Sequence, residues 1–162
     1  MISRMNWPLM GLLLCIGAIS AQAADPFAGT WKQNKQMGGG ALYIPSETPV
    51  IKTLEFLDVN TVKITDSESG VEETFPLDGT SVRIKKGRNA GEDDSVKRIH
   101  PKVWAFRRQT HGRTYPDRND QTAYDEEGYY TISADEKIMI WAVLRTYSDG
   151  RTIYYNRVFE RQ

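Results

Sequence analysis

The sequence predicts an all-β protein, an antiparallel up-and-down β-barrel of about 8–10 strands. Three observations carry this. Beyond residue 23, apolar residues do not recur at the three-to-four spacing of a helix; they alternate or form short runs, as strands do. Turn residues such as Gly, Asp, Asn and Ser punctuate those runs. The connections are mostly short, so order in the chain becomes order in the sheet.

Residues 1–23 stand apart. Arg4 gives a short positive start, "WPLMGLLLCIGAIS" (7–20) is apolar, and Ala21-Gln22-Ala23 is a small-x-small cleavage pattern. Together they predict a secretory signal peptide, too short in its apolar run for a spanning helix. The exported domain then runs over 24–162, with no stable membrane anchor. The single cysteine, Cys15, leaves with the signal. The domain must therefore hold itself together by core burial, for which its length suffices. The periplasm or the extracellular space is the expected address.

The strands follow in order. "AGTWKQN" (28–34) is the first and "VIKTLEFL" (50–57) the second. "TVKIT" (61–65) alternates cleanly, with Val62 and Ile64 on one face. "VEETF" (71–75) follows the turn "SESG", and "SVRIK" (81–85) follows "LDG". Next come "SVKRI" (95–99), "KVWAFRRQ" (102–109), "GYYTIS" (128–133), "KIMIWAVLRTY" (137–147) and "TIYYNRVFER" (152–161). Two long connections remain, 35–49 with its glycine triplet and 110–127. Long loops in compact domains are functional or disordered.

Asp149-Gly150 predicts a two-residue hairpin turn. That register sets Leu144 against Tyr155, Ala142 against Arg157, Ile140 against Phe159 and Ile138 against Arg161 on the inner face. Met139, Trp141 and Val143 then point outward. An apolar outer stripe needs a cover, so these three are a candidate protein interface, for a homodimer or an envelope protein.

Gly29-Thr30-Trp31, with Phe27 two residues ahead, resembles the first signature of the lipocalins. The resemblance implies a lipocalin/calycin-like barrel whose tryptophan closes one end under an arginine from the last strand. In a closed meander the start of the first strand meets the end of the last. A guanidinium over an indole gains a cation–π contact and can cap carbonyls. The barrel-closing set is thus Gly29 and Trp31 with Arg161, or alternatively Arg157. "FAGTWKQN", "SDGRTI" and "RVFERQ" are also similar to segments of small exported bacterial proteins of unknown function. That likeness implies a fold and an address, and no catalytic residues.

Chemistry is hard to place. With Arg4 gone the domain carries one more acid than base, so no global field favours nucleic acid. The basic runs 83–88 and 106–113 and the acidic runs 91–94 and 124–128 read as solvated faces and loops. His100 and His111 flank one strand, too far apart to share a metal. Residues 117–127 offer oxygen ligands but fail the EF-hand pattern at Gln121 and Thr122. Asp125, Glu126 and Glu127 read as solvated acids in a polar loop. No nucleophile elbow or phosphate loop is present. No catalytic residue, metal or cofactor is expected. The aromatics are left. Trp104, Phe106, Tyr129 and Tyr155 are candidates to line a cavity for one small hydrophobic ligand, against the alternative of a solidly filled barrel.

Overall fold

A computed structural model describes residues 24–40, 48–111 and 123–162. The expected signal peptide and residues 41–47 and 112–122 lie outside the described residues. The described chain forms ten strands: β1 (Gly29–Gly40), β2 (Ile51–Asp58), β3 (Thr61–Asp66), β4 (Val71–Pro76), β5 (Asp78–Arg83), β6 (Asp93–His100), β7 (Val103–Gln109), β8 (Tyr124–Ile132), β9 (Ile138–Tyr147) and β10 (Thr152–Arg161).

They make one antiparallel sheet in the order β4-β3-β2-β1-β10-β9-β8-β7-β6-β5. The first and last strands meet in the middle of this list, Trp31 directly opposite Arg161. The barrel is therefore shut everywhere except between β4 and β5. That break is a departure from full closure. Leu77 alone connects the two strands, and its carbonyl is taken by the Arg98 N–H of β6 (2.9 Å). At the far end of β4 the loop after β5 closes the gap again. Arg88 N–H reaches the Ser69 carbonyl (2.6 Å), and Lys85 N–H reaches Glu73 Oε1 (2.8 Å).

The β9–β10 hairpin differs from the predicted register by one residue. Gly150 N–H bonds the Tyr147 carbonyl, and Tyr147 N–H bonds the Arg151 carbonyl, giving a three-residue loop (148–150) in place of a two-residue one. Gly150 takes a left-handed conformation (φ 88°), the bulge form that such a loop requires. A one-residue slip sends every side chain to the other face. Tyr155 consequently faces Val143, Arg157 faces Trp141 and Phe159 faces Met139. Met139, Trp141 and Val143 are 0%, 6% and 0% exposed. They are core, so the predicted interface stripe is corrected to an interior one. Ile140 and Leu144, predicted inside, point out.

Two strands run further than predicted. β1 continues to Gly40, where Gly39 and Gly40 rejoin β10 after a bulge. β8 begins at Tyr124, so "YDEE" is strand and not loop. Along it Tyr124 and Glu126 are buried while Asp125 and Glu127 are exposed. That alternation brings a carboxylate into the barrel.

Candidate functional site

The two ends of the barrel differ. One carries the start of β1, the end of β10 and the turns after β2, β4, β6 and β8. It is plugged. Phe27 stacks on Trp104 with ring centroids 4.0 Å apart. Trp31 Nε1 donates to the Phe27 carbonyl (2.9 Å). The Arg161 guanidinium lies 4.4 Å above the Trp31 ring. It donates to three backbone carbonyls, Glu136 (2.8 Å), Ala28 (2.6 Å) and Pro26. Gly29 leaves room for it, since a Cβ there would stand 3.2 Å from Arg161 Nη1. Arg157, the alternative, is elsewhere: it pairs with Glu68 and lies 5.5 Å over Trp141.

The other end carries the turns after β3, β5 and β9 and the connections leaving β1 and β7. It opens into a cavity of about 920 Å³. One side of its wall is apolar, with Ile64 and Val71 from β3 and β4, Val96 from β6 and Phe106 from β7. Phe106, Tyr130 and Trp141 touch one another at 5.5–5.7 Å between ring centroids, Tyr130 lying parallel to Trp141. Gly128 makes this possible, since a Cβ there would meet the Ala142 carbonyl at 1.9 Å and the Phe106 ring at 3.0 Å. Of the four predicted cavity residues, Phe106 and Tyr155 line it. Trp104 belongs to the opposite plug. Tyr129 points out and is 51% exposed, a correction that follows from its parity in β8 next to inward Tyr130.

The other side of the wall is a row of charges. Asp94, Arg108, Glu126 and Arg145 stand directly opposite one another across β6, β7, β8 and β9, alternating in sign. Adjacent strands are about 4.8 Å apart, so each side chain reaches its neighbour. Glu126 is the centre. Its Oε1 accepts from Arg145 Nε (2.9 Å) and Nη2 (2.6 Å) and from the Tyr155 hydroxyl (2.7 Å). Its Oε2 accepts from Arg108 Nη1 (3.2 Å). Arg108 also grips Asp94 with two hydrogen bonds, at 3.0 and 2.8 Å, and lies 3.1 Å from Glu92. The Arg145 guanidinium lies over Tyr124, 3.9 Å from the ring centroid.

Burial alone raises a carboxyl's pKa; here the guanidiniums of Arg108 and Arg145 and the Tyr155 hydroxyl reverse that and hold Glu126 below its ordinary value. Burial and the neighbouring Glu126 carboxylate push the Tyr155 hydroxyl well up. Glu126 is thus a buried anion and Tyr155 its neutral donor. A second buried pair, Lys52 with Asp66 across β2 and β3, sits beside Trp141, Lys52 Nζ lying 4.9 Å from the ring. Burial opposes the charge on Asp66, and the Lys52 ammonium outweighs it, holding Asp66 at about 2.

This arrangement is a container of polar and apolar walls. Among the described residues no group of three or more His, Cys, Asp or Glu is placed to hold a metal. His111 pairs with Asp93 (2.6 Å), and His100 accepts from the Lys102 backbone (3.2 Å). Residues 117–122 of the calcium-like stretch lie outside the described residues. Sequence reasoning missed Glu126, Arg108 and Arg145. The signal for them was the period-two placement of Tyr124, Glu126, Gly128 and Tyr130.

Among the described residues, ten antiparallel strands surround the cavity and the sheet is interrupted between β4 and β5, which decides the architecture. The fold is an antiparallel up-and-down β-barrel, calycin-like in architecture. The zebrafish ileal bile acid-binding protein, solved in complex with cholic acid, is similar with a TM-score of 0.55 at 12% identity, covering 85% of this chain and 99% of that one. EF1p2_mFAP2b bound to DFHBI is similar with a TM-score of 0.43 at 14% identity, over 86% and 97% of the two chains. At 12% identity the likeness to the bile acid-binding protein is one of fold. No protein-family model and no curated protein matches the sequence.

Proposed function

We propose that this is an exported protein that holds one small hydrophobic molecule in the barrel, without chemically changing it. The cavity carries the reading: about 920 Å³, enclosed by the sheet, with an aromatic and aliphatic side. That is the size of a pocket for one ligand. A protein of the same fold was solved with a bile acid in complex, which supports the use of such an interior for a small apolar molecule. The expected signal peptide supports export.

Retinol is a suitable probe, because Trp141 reports on the wall. Titration should quench tryptophan fluorescence saturably, and native mass spectrometry should show one ligand per chain. No saturable change with retinol, fatty acids and haem-like compounds, and an empty protein by mass, would refute the proposal.

A second reading moves to the outer face. Tyr154 stands opposite Leu144, with Ile140 and Tyr129 nearby, and all four are exposed. This row, and not the buried Met139 stripe, is where a homodimer or envelope partner would dock. A monomer by light scattering, unchanged by Tyr154→Glu, would dismiss it.

A further inference from the structure

We propose that the cavity selects an uncharged ligand, because the arginine site in its wall is already filled by the protein's own carboxylate, Glu126. The inference rests on the ligand-binding reading and names the ligand class.

Six cations line the cavity, and an apolar molecule with an acidic end group would be expected to use one of them. Five are held by a carboxylate of the chain: Lys52 by Asp66, Arg108 by Asp94, Arg145 by Glu126, Arg151 by Asp149 and Arg157 by Glu68. The sixth, Arg88, is engaged as well. Counting Glu92 and Asp149 just behind the wall, the cations are matched one for one by carboxylates.

The match is also one of hydrogen bonds. A carboxylate offers about four lone-pair positions. Glu126 takes four bonds, two from Arg145 and one from Tyr155 on Oε1 and one from Arg108 on Oε2. Arg108 commits its Nε and Nη2 to Asp94 and its Nη1 to Glu126. The amide oxygen of Asn89, once turned toward Arg108, takes up Nη1 and Nη2 as well. Geometrically, two guanidiniums and a phenol converging on one carboxylate form an anion site. The anion is built in, on β8, between the strands that carry the two arginines. A ligand carboxylate entering beside it would meet a like charge at close range, with the guanidiniums and phenol that converge there already engaged by Glu126 and Asp94, and burying it there would be unfavourable. An alcohol, ketone or hydrocarbon meets no such penalty against Phe106, Tyr130 and Trp141.

Two arms test this. In the first, retinol and retinoate, the same skeleton with different ends, are titrated into the wild-type protein by tryptophan quenching at neutral pH. Retinol should bind at least about tenfold tighter. Retinoate binding as tightly as retinol would overturn the inference while leaving the ligand-binding reading intact. If neither binds, that reading fails and the ligand class falls with it. The second arm uses no apolar ligand. Glu126→Ala vacates the anion site, so sodium formate should raise its melting temperature, or its refolding yield if it does not fold unaided, relative to sodium chloride at equal ionic strength. The wild type should not distinguish the two salts. A variant indifferent to formate in both readouts would show that no anion site lies under Glu126.

Discussion

Glu126→Gln changes one oxygen to nitrogen and tests whether the centre of the charge row is a buried anion. In the wild type Glu126 takes four hydrogen bonds from three side chains, and its side chain is 1% exposed. The amide keeps the shape and loses the charge. Its NH₂ group must face guanidinium donors or the Tyr155 hydroxyl. Arg108 keeps Asp94 and Glu92, but Arg145 loses the carboxylate that grips it. Removing one partner of a buried pair costs about 3–5 kcal/mol, because the other charge stays buried. For a domain of this size that corresponds to a fall in melting temperature of roughly 10–20 °C. Urea unfolding followed by far-UV circular dichroism should show the midpoint falling with little change in slope. Glu127→Gln, one residue on and exposed, is the control and should stay within about 0.5 kcal/mol. Equal, small effects at both positions would refute the buried network and return "YDEE" to a solvated loop.

Other expectations follow from the same geometry. Arg161→Ala removes three carbonyl caps and the contact with Trp31, and should cost about 2–4 kcal/mol by urea unfolding, with Arg161→Lys recovering less than half. Asp66 is held at about 2 against an ordinary 3.8, so its pairing with Lys52 is fully stabilising above about pH 4 and is lost as pH falls toward 2. That contributes on the order of 2 kcal/mol. Asp66→Asn should therefore flatten this acid limb in a plot of urea midpoint against pH. Met139→Ala should cost about 2–5 kcal/mol and Leu144→Ala well under 1, the reverse of what the two-residue turn would give.

The strands were legible because half-buried strands alternate, and "TVKIT" can do so in only one way, whereas "IMIWAVL" shows a strand without showing which face is inside. The faces were less legible. Ser148-Asp149-Gly150 serves a two-residue or a three-residue loop, and the difference is one residue of register. The bulk of Met139, Trp141 and Val143 was the better guide, because large apolar side chains seek the core whatever the turn dipeptide favours. The plug was readable from Trp31 and Arg161, since closure of a meander forces the ends together. The charge row was not. Glu126 sits among acids and looks solvated until β7 and β9 bring Arg108 and Arg145 to either side. Arg108 lies 18 residues from Glu126 in the sequence; only strand pairing makes them neighbours, and pairing is a non-local property.

The central claim is that the barrel is hollow and that the hollow holds the ligand. Val96→Trp tests it directly, by filling the apolar side of the cavity with an indole. The protein should keep its melting temperature within a few degrees, because the added ring enters empty space, while its affinity for retinol falls at least about tenfold. Retinol bound as tightly by Val96→Trp as by the wild type would place the ligand elsewhere and contradict the account.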